Sequence, residues 1–240
     1  MDTEAQPTER DRSSVPPAGE QRAAEGPEGR SRSALRSALH ELPSWLPGGR
    51  VSLAALAALV FLLLFGHFVI QPYEIPSRSM QPALTVGDRV LVNKLAYRFG
   101  AEPQRGDVVV FDGTGYFGDA DYIKRVVGVG GDHVVCCDER GRIQVNGHSV
   151  REETFLYPAD VPSEAPFDIV VPDGTLFVLG DHRSDSRDSR DHLGSPGGGM
   201  VPLDMVIGRA DWIGWPVGHW ATLEHRAAYA SVPVQPAAHG

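Results

Sequence analysis

The segment IPSRSMQPALTVGDRVLV, residues 75–92, contains in miniature the two kinds of structure this chain is built from. Its first half is a loop. Pro76 and Pro82 fix φ and remove backbone donors, which excludes a regular helix or a central strand between them and leaves Ser77 and Ser79 on a stiff, extended connection. Its second half turns at Gly87-Asp88 into Arg89-Val90-Leu91-Val92-Asn93, whose β-branched and apolar residues favour a strand. The same Gly-Asp punctuation recurs at Gly106-Asp107, Gly131-Asp132 and Gly180-Asp181. The first two of these lead into Val-rich runs, 108–111 and 134–135. Asn146-Gly147 is a hairpin dipeptide, and residues 175–179 and 205–215 supply further strand-like runs. No segment of this region carries helical periodicity. The fold class expected is therefore mainly β, an exported sheet or partly closed barrel.

Upstream the composition changes twice. Residues 51–70 are nearly all Ala, Val, Leu and Phe, and no Asp, Glu, Lys or Arg occurs from 51 to 73. That length of apolar chain reads as one transmembrane helix, with a buried core helix as the alternative. The Gln71-Pro72-Tyr73-Glu74 that follows does not resemble a small-residue cleavage site, so the segment is expected to stay as an anchor. Residues 1–44 are dense in Glu, Arg, Ser, Pro and Gly, a composition that cannot bury enough apolar surface to order itself. The expected organisation is a disordered tail at 1–44, a juxtamembrane segment and anchor at 45–72, a β domain at 73–227 and a flexible C-terminal tail at 228–240. Arg32, Arg36 and Arg50 before the span, against Arg78 and Arg89 after it, orient the N-terminus to the cytoplasm and the β domain outside.

The formal net charge of −9, with no basic stripe in the folded region, argues against nucleic acid as a partner. Cys136 and Cys137 are adjacent, and alternation along a strand would point them to opposite faces, so no disulfide between them is expected. Residues 151–172 hold four prolines and read as a long surface connection with at most a short strand at 168–171. The run GDHRSDSRDSRDH, 180–192, reads on its own as a solvated charged loop. A metal site from His182, Asp185, Asp188 and His192 is the other reading of that run, but nothing fixes the ligand geometry.

The run Tyr122-Ile123-Lys124-Arg125-Val126-Val127-Gly128 places a lysine in an apolar strand. Alternation sets Tyr122, Lys124 and Val126 on one face and Ile123, Arg125 and Val127 on the other. Two readings stay open on pattern alone: both basic side chains snorkel from an exposed strand, or Lys124 is a partly buried base for a serine.

Taken together, the blocks 76–82 (PSRSMQP), 105–111 (RGDVVVF), 122–128 (YIKRVVG) and 180–190 (GDHRSDSRDSR), in this order behind an apolar anchor, resemble the bacterial type I signal peptidases. These are membrane-anchored proteases with a Ser-Lys dyad. The resemblance implies Ser79 as nucleophile, Lys124 as general base, Ser77 with the Ser79 backbone N–H as oxyanion hole, and Ser186 as the residue that orients the lysine amine. It implies that Asp188 pairs with Arg190 and that Asp181 belongs to the same supporting block. It places Ile75, Pro76, Met80, Leu84, Tyr122 and Ile123 along apolar substrate subsites, with the peptide extended against a strand edge. His182 departs from the family's usual Asn, and Gly130 stands where a proline often occurs. Implied partners are signal-peptide-bearing preproteins and membrane lipid; no cofactor or metal is implied.

The chemistry explains why a lysine would be placed in such a strand. A serine hydroxyl needs a base to take its proton, and a lysine with a reference pKa near ~10.4 is neutral in only about one molecule in ~2,500 at pH 7, a deficit of roughly 4.6 kcal/mol. Desolvation lowers buried lysine pKa values by up to ~3–5 units, and Val126 and the Tyr122 ring are suitable surroundings. Two rivals are weighed. A self-cleaving repressor-type protease shares the dyad but carries a DNA-binding module and no anchor. A membrane-anchored, non-catalytic β protein that binds preproteins or cell-wall partners is the reading from another class.

Overall fold

The computed structural model describes residues 49–223 and 226–233. The tail expected at 1–44 lies outside them. The helix α1, Arg50–Val69, is long enough at 1.5 Å per residue to span about 30 Å. Its large apolar side chains are exposed, Val51 at 76%, Phe61 at 64% and Phe68 at 69%, which is not the pattern of a buried core helix. The helix ends one residue sooner than the apolar run, because Ile70 opens a strand.

Among the described residues eleven strands follow. A seven-stranded sheet has the order β1-β2-β11-β3-β4-β9-β10, made of β1 (Ile70–Glu74), β2 (Arg89–Asn93), β3 (Val108–Asp112), β4 (Asp121–Val129), β9 (Thr175–Leu179), β10 (Val201–Pro202) and β11 (Val206–Trp215). A four-stranded sheet has the order β7-β6-β5-β8, made of β5 (His133–Cys136), β6 (Gln144–Val145), β7 (His148–Ser149) and β8 (Phe167–Val170). All pairings are antiparallel. The seven-stranded sheet runs from β1 to β10 without closing, so the architecture is mainly β and open. In the hairpin β6–β7, Asn146 (φ 53°) and Gly147 (φ 77°) supply the two positive φ values that this turn needs.

The sequence runs match the layers. On β3, Val108 and Val110 enter one apolar cluster with Ile75, Met80, Leu84, Val90 and Ile213, while Val109 and Phe111 enter another with Val126, Leu176 and Val178. Both faces of β3 are covered, which is why its run is continuously apolar rather than alternating. A third cluster of Val127, Val134, Phe155, Phe167, Phe177 and Leu179 joins the two sheets.

Three expectations are corrected here. The proline-rich stretch 151–172 is not only a surface connection, because Glu152 and Phe155 are buried at 3% and 1%; its strand is Phe167–Val170. The C-terminal stretch expected to be loose from Ala228 is packed over 228–233, where Ala228, Tyr229 and Val232 complete the third cluster. Cys136 and Cys137 are joined by a disulfide across a cis peptide bond. The alternation that would have separated them stops at Cys136, the last residue of β5.

Candidate active site

The loop that carries the serines is closed at its base by backbone bonds, Ile75 N–H to Asp88 C=O (2.8 Å) and Gly87 N–H to Ile75 C=O (2.9 Å). Its apolar residues hold it down. Ile75, Met80 and Leu84 are 2%, 0% and 0% exposed in the cluster beneath the loop, and Leu84 N–H closes a turn on Met80 C=O at 2.9 Å. With Met80 inserted, its neighbour Ser79 is drawn down to 5% exposure, while Ser77 stays at the surface. The two hydroxyl oxygens lie 3.3 Å apart.

Lys124 meets this loop from β4, which is paired on both sides, with β3 and β9. Its Nζ donates to Ser79 Oγ at 2.9 Å and to the Ile123 carbonyl at 3.1 Å. The Tyr122 ring centroid is 5.9 Å away. The side chain is 4% exposed, and among the described residues it forms no salt bridge. Burial lowers its pKa from 10.5 to about 8, against the opposing pull of the Asp188 and Asp181 charges. An amine in this state is neutral in roughly one molecule in ten at pH 7 and lies on the Ser79 hydroxyl.

The charged run 180–190 is partly buried: Asp181, Arg183, Asp188 and Ser189 are buried while Ser184, Asp185 and Arg187 face solvent. Asp181 accepts from Arg125 Nε (2.7 Å) and Nη2 (2.6 Å), with both side chains fully buried. Arg125 also donates to the Gly106 carbonyl at 2.9 Å. Asp188 is fully buried and accepts from Arg190 Nε, the Gly180 N–H and the Ser186 hydroxyl at 2.9, 3.0 and 2.8 Å. Burial alone would raise the Asp188 pKa, but these donors and the Arg190 charge hold it below the usual carboxylate range. Arg190 reaches further to the Arg183 carbonyl at 2.8 Å. The loop therefore keeps its shape through charge-assisted bonds.

The structure brings Ser77, Ser79, Lys124, Asp181, Ser186, Asp188 and Arg190 into one region, with one change in wiring. Ser186 gives its hydroxyl to Asp188 and not to Lys124, because the carboxylate is the stronger acceptor; Asp188 in turn acts on the lysine only through its charge. Of the expected subsite residues, Ile75, Met80 and Leu84 are core plugs without exposed surface. Pro76 is exposed, and Tyr122 and Ile123 are half-buried. Tyr122 donates its hydroxyl to the Phe117 carbonyl at 3.1 Å. The reading of Lys124 and Arg125 as snorkelling does not survive, since both are buried. The proposed metal ligands are committed elsewhere: Asp188 to Arg190, and the His182 ring to a stack on Tyr157. Among the described residues no group of three or more His, Cys, Asp or Glu is arranged to hold a metal.

Residue-by-residue reading missed Gly180, Glu152, Tyr157 and Arg183. A Cβ on Gly180 would collide with Ser186 Oγ and lie 2.5 Å from the Ser79 carbonyl oxygen, so only glycine lets the two loops touch. The signal was present: of the four Gly-Asp pairs named in the sequence, Gly180-Asp181 alone leads into no strand. Arg78, to which no role was given, forms an ion pair with Asp185 at 3.0 Å.

Comparison with known proteins places these features in a family. The family model described as signal peptidase, peptidase S26, matches residues 49–215. The signal peptidase I of Mycobacterium tuberculosis (strain ATCC 25618 / H37Rv) is 35% identical over 240 residues, covering 80% of this chain and 78% of that protein. Signal peptidase IB of Staphylococcus aureus (strain N315) is 34% identical over 191 residues, covering 73% of this chain and 91% of that protein. A crystal structure of a signal peptidase I from Enterococcus faecalis V583 is 26% identical, with a TM-score of 0.36 over 45% of this chain and 96% of that chain.

Proposed function

Because this chain belongs to the signal peptidase family, peptidase S26, we propose that it is an endopeptidase that removes N-terminal signal peptides from exported preproteins, with Ser79 as nucleophile and neutral Lys124 as its base. The observation that carries the reading is the 2.9 Å contact between Lys124 Nζ and Ser79 Oγ at a buried lysine that forms no salt bridge among the described residues.

In this reading Lys124 takes the Ser79 proton as Oγ attacks the scissile carbonyl. The oxyanion that forms is held by the Ser79 N–H and the Ser77 hydroxyl, whose 3.3 Å separation from Ser79 Oγ keeps it within reach. The ammonium returns its proton to the departing amine, leaving an acyl-enzyme. Lys124, neutral again, then activates a water to release the signal peptide and regenerate Ser79. Asp181, Asp188 and Arg190 hold the supporting loop, and Ser186 acts through Asp188.

α1 is long and apolar enough to cross a membrane. We place the N-terminus in the cytoplasm and the β domain on the outer face, where preproteins emerge. The test is cleavage of a precursor peptide, an apolar stretch followed by Ala-X-Ala, by the full chain in detergent. The expected result is a single cut after the second alanine by the wild type and none by Ser79→Ala. Binding without cutting by the wild type would favour the anchored binding protein instead.

A further inference from the structure

Four consecutive residues after β9 are each held by the proline-rich segment 152–162. The Asp181 carbonyl accepts from the Tyr157 N–H at 2.9 Å. The His182 ring stacks on the Tyr157 ring, with centroids 3.7 Å apart and planes 15° from parallel. Arg183 donates to Glu152 Oε1 at 2.6 Å and to the Pro162 carbonyl at 2.8 Å. Ser184 donates its N–H and hydroxyl to Asp160 at 3.1 and 2.8 Å. A segment with no strand partner is thus fitted residue by residue to the turn beneath the dyad.

One of the four touches the nucleophile. The His182 N–H donates to the Ser79 carbonyl at 3.0 Å, and Ser79 Oγ is the atom that Lys124 meets. The His182 ring makes no hydrogen bond among the described residues, and its Nδ1 is buried without a partner. The stack on Tyr157 is therefore what fixes this ring, while the Tyr157 N–H holds the Asp181 carbonyl of the same peptide whose N–H reaches Ser79, so the ring and the backbone of Tyr157 together set the carbonyl contact.

We propose that segment 152–162 is a positioning element for the nucleophile, with the Tyr157–His182 stack as the side-chain contact through which it acts. The proposal rests on the peptidase reading. Tyr157 touches neither substrate nor dyad; it sets where Ser79 stands relative to Lys124, and a displacement of about 1 Å there is worth up to about 10²-fold in rate.

The experiment is steady-state cleavage of the same precursor peptide by the full chain in detergent, comparing wild type, Tyr157→Ala, Tyr157→Phe, His182→Ala and the double alanine variant. Expected are kcat values lowered between about tenfold and 10²-fold in each alanine variant with KM within about twofold. Tyr157→Phe, which keeps the ring face, restores the rate, and the double variant is no slower than the single ones because one contact is removed either way. If Tyr157→Ala fails to fold, His182→Leu removes the stack while keeping the bulk, and the same loss of kcat is expected. Alanine or leucine variants that cut at the wild-type rate, a loss confined to KM, or losses that multiply in the double variant would overturn the proposal while leaving the peptidase reading intact. A wild type that never cuts overturns both.

Discussion

Lys124 and Arg125 are neighbours on β4, both cationic by type and both buried, at 4% and 0% exposure, yet they face opposite environments. Arg125 looks into a carboxylate, with two bonds to Asp181 and one to the Gly106 carbonyl, and its ring-facing side lies 4.3 Å from the Phe155 centroid. Lys124 looks at a hydroxyl and a carbonyl. Burial by itself does not decide what a basic residue becomes. A guanidinium given a bidentate partner stays charged and ties loops together, while an amine given only neutral partners is driven toward its neutral form. One strand thus presents an ion-paired guanidinium and a buried amine without a salt bridge among the described residues on opposite faces, by alternation alone.

The comparison can be broken first at Lys124. Lys124→Met keeps the volume and removes the amine; cleavage should fall by about 10⁴-fold or more, while the melting temperature holds or rises because no amine has to be desolvated. A lower melting temperature with retained cleavage would reverse the two roles. The mirror experiment is Arg125→Met, which leaves Asp181 buried without its counter-charge. It should cost about 3–5 kcal/mol of stability, measured as a shift of the urea unfolding midpoint.

Smaller effects sharpen the contrast. Ser77→Ala removes the hydroxyl 3.3 Å from Ser79 Oγ, and kcat should drop about 10²–10³-fold with folding unchanged. Arg78→Ala should do least. Its pair with Asp185 has the same chemistry as Arg125–Asp181, but the partners are 65% and 44% exposed, so the loss should stay below about 1 kcal/mol and diminish in high salt.

How much of this could be read from the chain depends on whether the cause was local. The run Val108-Val109-Val110-Phe111, the Asn146-Gly147 turn and the apolar anchor each declare themselves, because periodicity and turn chemistry act over a few residues. The ordered blocks singled out Ser79, Lys124 and Ser77, and the fold brings these three side chains together. Glu152 and Tyr157 were not: a glutamate among prolines looks solvated until the fold brings Arg183 to it, 31 residues away in sequence. Tyr229 and Val232 were misread for the same reason, since a short apolar sequence at the end of a chain gives no sign of the cluster that will cover it. Ser186 fell between the two cases. Its place in the loop that meets Ser79 was legible, but the competition won by Asp188 is a matter of distances.

The central claim is that Lys124 acts as a neutral base, and the pH dependence of kcat/KM on the precursor peptide tests it most directly. A base must be unprotonated to act, so activity should rise with pH and level off above about 8, the value to which burial lowers this lysine. The same shift has a stability counterpart of matching sign. Between pH about 8 and 10.5 the unfolded chain holds more protons on Lys124 than the folded one, so this residue's contribution to stability grows with pH across that window. A kcat/KM profile that rises through about 8 and vanishes in Lys124→Met is the expected result. A profile already flat at pH 6, or one that survives the loss of Lys124, would show that the proton from Ser79 goes elsewhere.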